Sequence, residues 1–251
     1  FGLLFFVLMA PLLALVPLGP LARWQREQPS KLAAALLPWL GVALGAGVAA
    51  YFTAPQGAWK TALGVAGAAW VGLGTLRFVW ARLRNSGRLT AEMWGMVLAH
   101  LGLAVFVVGA LLVEAQNVQR EVALKPGQTL EVGRHAFLFQ GVDQLQGPNY
   151  LADRGHVQVL RDGRALALLH PEKRAYASGG QVMTEAGIRP GVTADVYVAL
   201  GESLGDGAWA VRVHIKPFVR WIWGGAALMA LGGLVAAGDR RFRRVSKEKT
   251  A

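Results

Sequence analysis

The sequence contains no cysteine, which excludes a disulfide, a thiolate metal site and thiol exchange by the chain's own residues. Any thiol chemistry around it belongs to a substrate or a partner. Acidic residues are scarce too, 15 against 26 lysines and arginines, for a formal charge of +11. Such an excess would suit nucleic acid, but the basic residues cluster in short loops and at the C-terminus, beside apolar runs, where membrane topology accounts for them. No nucleic-acid partner is expected. The opening segment lacks the basic n-region and small-residue cleavage site of a signal peptide and begins at Phe1, so the last part of a longer polypeptide is expected. Nothing resembles a nucleophile elbow, a phosphate loop or a helix-borne pair of carboxylates, and no catalytic residue is assigned.

What the chain does have is apolar length: 54% of its 251 residues are hydrophobic, and its mean hydropathy is +0.37. Five runs stand out, at residues 1–21, 33–53, 60–80, 92–113 and 218–238. Each has about 20 residues, enough for a helix to cross roughly 30 Å of hydrocarbon. Pro11, Pro17 and Pro20 predict a kink in the first. Arg23, Arg26 and Lys31, then Arg82, Arg84 and Arg88, then the basic tail 239–251 alternate onto one side, expected to be cytoplasmic. The turn 53–57 and the long region 115–217 fall on the other. Trp24, Trp59, Trp80, Trp94, Trp221 and Trp223 lie near run ends, as interfacial belts require.

Residues 115–217 change character, with short alternating segments between turn signals. Strands are expected at 128–132, 135–145, 156–160, 165–169, 195–200 and 208–215, with Asp162-Gly163 as a hairpin turn. The expected fold is a membrane protein of about five transmembrane α-helices with an inserted periplasmic all-β domain, a single sandwich or barrel-like unit. Its parts are four helices in 1–114, the β domain in 115–217, the last helix in 218–238 and a cytoplasmic tail. The lipid bilayer is its first partner.

His100 is the most informative residue, because an ionisable side chain within a span is costly and usually faces the protein interior. Two readings stand. It is an axial haem ligand, with Gly95 and Gly102 letting a flat ring lie close to the helix backbone, or it hydrogen-bonds to a neighbouring helix. No other histidine falls in a run, and His135, His156, His170 and His214 lack tight ligand spacing. His170, Lys173 and Arg174 in HPEKR could dock an acidic group or partner, although a solvated loop accounts for them as well. Asn149 and Tyr150 in GPNY form a turn and a candidate recognition loop.

The pieces WGMVLAHLGLAVFVVG, LKPGQTLEVG, QGPNY, HPEKRAY, MTEA, DVYVALG and GAWAVRVHIKPFVRWIWGG through LMALGG follow one another across residues 92–233. In that order they resemble the C-terminal part of CcmF, the membrane haem lyase subunit of bacterial cytochrome c maturation. The resemblance implies that His100 is one of two transmembrane histidines holding haem b. That haem would pass electrons, with quinol as their source, to reduce incoming haem before thioether attachment to the CxxCH thiols of apocytochrome c. The second axial histidine, the family's tryptophan-rich segment and its two periplasmic haem-binding histidines are absent from the sequence. They are expected outside this segment, which alone is not expected to be catalytic. Other cytochrome c maturation subunits are implied as partners, and the bacterial inner membrane as the location. The paralogous lyase of a nitrite reductase cytochrome fits as well. The alternative is a non-catalytic scaffold that recruits maturation subunits through the β domain, with His100 structural. A secondary transporter is disfavoured by the lack of paired acidic residues or an inverted repeat in the runs.

Overall fold

The structure is a computed structural model and describes residues 2–21, 29–54, 58–177, 179–180 and 182–239. Arg23, Arg26, Trp24, the turn residues 55–57 and the tail from 240 onward lie outside the described residues. The chain divides into two compact units, one of helices and one covering Asn117–Pro217.

The helical unit contains α1 (Gly2–Leu15), α2 (Pro29–Thr53), α3 (Ala58–Ser86), α4 (Ala91–Gln116) and α5 (Val219–Ala237). Four of these, α2 to α5, are long and apolar enough to cross a bilayer. In the first run, the described helix ends at Leu15. It has 14 residues, about 21 Å at 1.5 Å per residue. Pro11 stays inside the helix, whereas Pro17 and Pro20 fall in the turns that follow, where Leu18 N–H donates to the Leu15 carbonyl at 3.0 Å. Proline lacks the N–H that would continue a helix and clashes with the preceding turn, so the second and third prolines stop what the first does not.

Small residues set the helix contacts. A Cβ on Gly47 of α2 would lie 2.8 Å from the Ala62 carbonyl oxygen of α3, and one on Gly74 would lie 2.5 Å from Pro17 Cβ. Close backbone approach of this kind supplies the dispersion contacts that hold helices together where no hydrophobic effect separates them from lipid. The start of α4 is held by two acceptors. Thr90 Oγ1 accepts the Met93 N–H at 3.4 Å, and Asp239 Oδ2, just beyond α5, accepts the Glu92 N–H at 3.0 Å. Trp59, Trp80, Trp94, Trp221 and Trp223 are all exposed, at or near helix ends.

The second unit is a two-sheet antiparallel sandwich. Its strands are β1 (Val118–Leu124), β2 (Thr129–Val132), β3 (His135–Gln146), β4 (Tyr150–Arg161), β5 (Arg164–Leu169), β6 (Glu172–Tyr176), β7 (Val182–Glu185), β8 (Gly187–Arg189), β9 (Ala194–Gly205) and β10 (Ala208–Pro217). One sheet runs β1-β10-β9-β8 and the other β2-β3-β4-β6-β7, with β5 also paired to β4. Alternation along the strands turns Phe137, Phe139, Val157, Val159, Val196, Val198, Leu200, Val211 and Val213 into the space between sheets, where all are fully buried. The expected hairpin is present, with Asp162 at φ 52° and Gly163 at φ 76°, the left-handed pair that a two-residue turn demands. Two expectations are corrected. The strand expected at 156–160 begins at Tyr150, and Lys173 and Arg174, for which a solvated loop was the alternative, lie in strand β6. Its charges are paired across neighbouring strands, so it needs no loop to keep them in water.

Candidate functional site

At about 100° per residue, Gly95, Gly102 and Gly109 share one face of α4, a heptad apart. Gly225 and Gly232 repeat the spacing on α5. The two ridges interlock, since a Cβ on Gly95 would lie 2.5 Å from the Gly232 carbonyl oxygen and one on Gly102 2.7 Å from that of Gly225. Gly95 and Gly102 therefore offer no open cradle for a flat ring. The backbone of α5 fills the space that the sequence reading kept for one, because a glycine face admits a helix as readily as a macrocycle.

His100 lies about 140° around α4 from Gly95, away from α5. Its side faces α3. There Leu111 meets Gly64, 2.5 Å from where a Cβ of Gly64 would sit, and Glu114 pairs with Lys60. About three turns farther along each antiparallel helix the same face reaches His100 on α4 and Thr75 on α3. Thr75 is buried and spends its hydroxyl proton on the Val71 carbonyl at 2.7 Å. The His100 Nδ1 is buried and makes no hydrogen bond of good geometry among the described residues, although the Met96 backbone lies within reach of the ring. A neutral imidazole inside an apolar helix bundle fits a metal-bound porphyrin as its ligand, since it needs no counter-charge there. Among the described residues no group of three histidine or acidic side chains could hold a metal ion instead.

Arg77, within α3, was overlooked in the sequence. Its Nε is buried without a hydrogen-bond partner among the described residues. A charge inside the run 60–80 was the signal that could have found it.

In the sandwich the proposed docking residues separate. Tyr150 and Arg174 come together on the face of β4 and β6 turned away from the core, the guanidinium 4.7 Å from the ring centroid. Tyr176 lies against the same ring at 5.4 Å. Beneath them, buried Glu172 accepts hydrogen bonds from Arg154 Nε and Arg174 Nε, each at 2.7 Å. Burial would raise the Glu172 carboxyl, but the hydrogen bonds from Arg174 and Arg154 outweigh it and hold the group below its ordinary range. Gly147 makes room for this arrangement, because a Cβ there would run into the Tyr150 ring. Asn149 supplies a backbone carbonyl to the Ala177 N–H at 3.0 Å. Lys173, one residue before Arg174, points to the opposite face and pairs with Glu202 of the other sheet. His170 packs edge-on against His156 at 4.9 Å, and His156 Nε2 lies 2.9 Å from Asp143 Oδ2.

Comparison with known proteins bears on both units. The family described as CcmF C-terminal beta-sandwich matches residues 115–217. Cytochrome c-type biogenesis protein CcmF of Pseudomonas fluorescens is 43% identical over 249 residues, 97% of this chain. The CcmF of Escherichia coli K12 is 40% identical over 265 residues, 100% of this chain. The chain corresponds to the C-terminal part of the CcmF family. It spans 38% and 39% of the length of those two relatives. A solved structure named cytochrome c haem lyase CcmF shares the fold with a TM-score of 0.81 over 95% of this chain and 40% of that one, at 18% identity. The CcmF sandwich match and the compact second unit coincide to within two residues at one end and none at the other. CcmF likeness extends through the helices as well, since the two relatives match 97% and 100% of this chain.

Proposed function

We propose that this chain is the C-terminal section of a membrane haem lyase of cytochrome c maturation, in which His100 supplies one axial ligand to a haem b. The observation that carries the reading is His100 itself, an ionisable side chain with its Nδ1 buried, on a helix apolar enough to span a bilayer. An ionisable side chain in such surroundings is costly unless something binds the ring. The names of the relatives, cytochrome c-type biogenesis proteins, and of the solved structure, a haem lyase, support the same assignment.

Bound haem would supply one-electron chemistry, receiving electrons from a quinol and reducing incoming haem before thioether attachment to an apocytochrome c. The chain's own contribution is to hold and orient. α4 places the imidazole in an apolar layer, and the Gly95–Gly102–Gly109 ridge locks α4 to α5 so that His100 cannot turn away. The second axial ligand would come from residues outside this chain. The β domain, on the periplasmic side of the inner membrane, would face the maturation partners.

The test is His100→Ala in the full-length protein. The substitution should remove or weaken the Soret band of haem b per mole of folded protein, and added imidazole should partly restore it. Cytochrome c yield should fall with the band. An unchanged Soret band overturns the ligand assignment and leaves the scaffold reading.

A further inference from the structure

The two sheets of the sandwich pack through an apolar core for most of their length, but at one end that order inverts. The register of β3, β4, β6 and β7 lines up Gln144, Asp153, Lys173 and Thr184 as a transverse row. All four lie on the face turned toward the other sheet. A bulge between Phe139 and Gly141 keeps Val142 and Gln144 on the core side of β3. The next row outward, Gln146, Leu151, Ala175 and Val182, is largely apolar, and Leu151 and Val182 are 65% and 53% exposed. Gln144, Asp153, Lys173, Leu151 and Val182 from these rows, with Trp209 and Glu202 from the other sheet, line a groove of about 320 Å³. Ordinary sandwiches are apolar within and polar at the rim. At this end of the sandwich the inner row is polar and the outer row largely apolar.

The charges in the groove do not balance. Lys173, with its side chain 13% exposed, is already paired with Glu202. Asp153 beside it makes no hydrogen bond or ion pair with any described residue. One carboxylate is left in excess, half-buried next to an indole. An anion would find Lys173, the one cation among the described lining residues, taken, whereas a second cation would find both carboxylates and an aromatic ring. A long aliphatic stem with a cationic head is complementary to an apolar rim over an acidic floor.

The groove also opens where backbone is available for pairing. β7 is the last strand of its sheet, and β8 covers β9 only over Val196–Val198. An extended segment could lie along β7, whose Val182 forms part of the groove wall. The volume, at the lower end of the roughly 300–1,000 Å³ typical of ligand pockets, suits side chains rather than a folded partner.

We propose that this groove binds a lysine or arginine side chain of an extended partner peptide. The stem lies against Leu151, Val182 and Trp209, and the head sits between the Asp153 and Glu202 carboxylates. This surface is separate from His100, and the inference does not depend on haem binding.

The test uses the whole chain in detergent with three capped, fluorescently labelled octapeptides. One alternates threonine with lysine, and in the others norleucine or glutamate replaces lysine. Fluorescence anisotropy should show the lysine peptide binding at least about tenfold more tightly than the norleucine peptide, a coupling of about 1.4 kcal/mol. The chain's formal charge of +11 would by itself favour the glutamate peptide, so a lysine preference cannot come from net charge. Asp153→Asn should abolish the lysine preference while leaving thermal unfolding near that of the parent. Glu202→Gln, at a side chain 80% exposed, should weaken it without threatening the fold. No binding by any peptide, equal binding of the lysine and norleucine peptides, or a preference that survives both substitutions would each overturn the proposal.

Discussion

Gly102 and Gly225 face each other so closely that a Cβ on Gly225 would lie 2.6 Å from the Gly102 carbonyl oxygen and 2.5 Å from the Phe106 amide nitrogen. Both obstacles are backbone, which cannot swing aside as a flexible side chain would. The neighbouring Gly224 has nothing within 4 Å of its would-be Cβ. Adjacent glycines thus separate a packing role from composition. Gly225→Leu should destabilise the helix pair by about 1–3 kcal/mol or more, and Gly224→Leu should be close to neutral. Melting of the purified chain in detergent checks both, and equal effects would mean that α4 and α5 do not pack through this ridge.

Gly147→Ala should push the Tyr150 ring off Arg174 and Tyr176, since no Cβ fits between the turn and that ring. The combined aromatic and cation–π loss is on the order of 1–2 kcal/mol. It should appear as earlier thermal loss of the β-sheet circular dichroism signal. Gly179→Ala, with open space at its Cβ, is the matched control.

The sandwich should lose stability in acid through Glu172. Its carboxyl is held below the ordinary range in the folded state, so the unfolded chain takes up the proton first as pH falls. The contribution is complete above the unfolded value, about 4.3, and disappears as pH drops through the lower folded one. His135 and His214, both lowered chiefly by burial, add a decline of the same sign nearer neutrality. Thermal unfolding between about pH 6 and 3 should fall for the parent. Glu172→Gln should flatten the acid part of that fall while lowering stability at neutral pH, because Arg154 then loses its carboxylate partner and Arg174 the nearer of its two.

Topology can be tested by thiol labelling, for which the absence of native cysteine is convenient. Cysteine introduced at Asp162, at the tip of the β4–β5 hairpin, should react with an impermeant reagent from the periplasm of intact cells. Cysteine introduced at Ser86, at the end of α3, should react only after lysis. The reverse pattern would invert the proposed orientation and move the β domain to the cytoplasm.

Much of this protein was legible in the sequence because the governing physics is local. A bilayer demands about 20 apolar residues whatever their neighbours, so the runs that became α2 to α5 stand out unaided. The Asp162-Gly163 turn shows because only certain residues tolerate positive φ. His100 shows because an ionisable group in a span is costly wherever it points. The limits of the first helix were harder, since three prolines could each kink or stop it and the residues alone do not say which.

Other features depend on partners distant in the chain. β6 was hidden because Glu172, Lys173 and Arg174 look like a solvated run until Arg154 and Glu202 are brought beside them. The glycines of α4 advertise a close approach without naming what approaches, and only the docking of α5 decided that helix backbone fills the space. The register across β3, β4, β6 and β7 likewise assembled the groove from residues as far apart as Gln144 and Val182. Sequence alone determined which segments are apolar, which turn and where a histidine is costly, because those depend on each residue's own solvation and backbone. Tertiary structure decided which side chains meet, because strand register and helix rotation are set by packing against elements far along the chain.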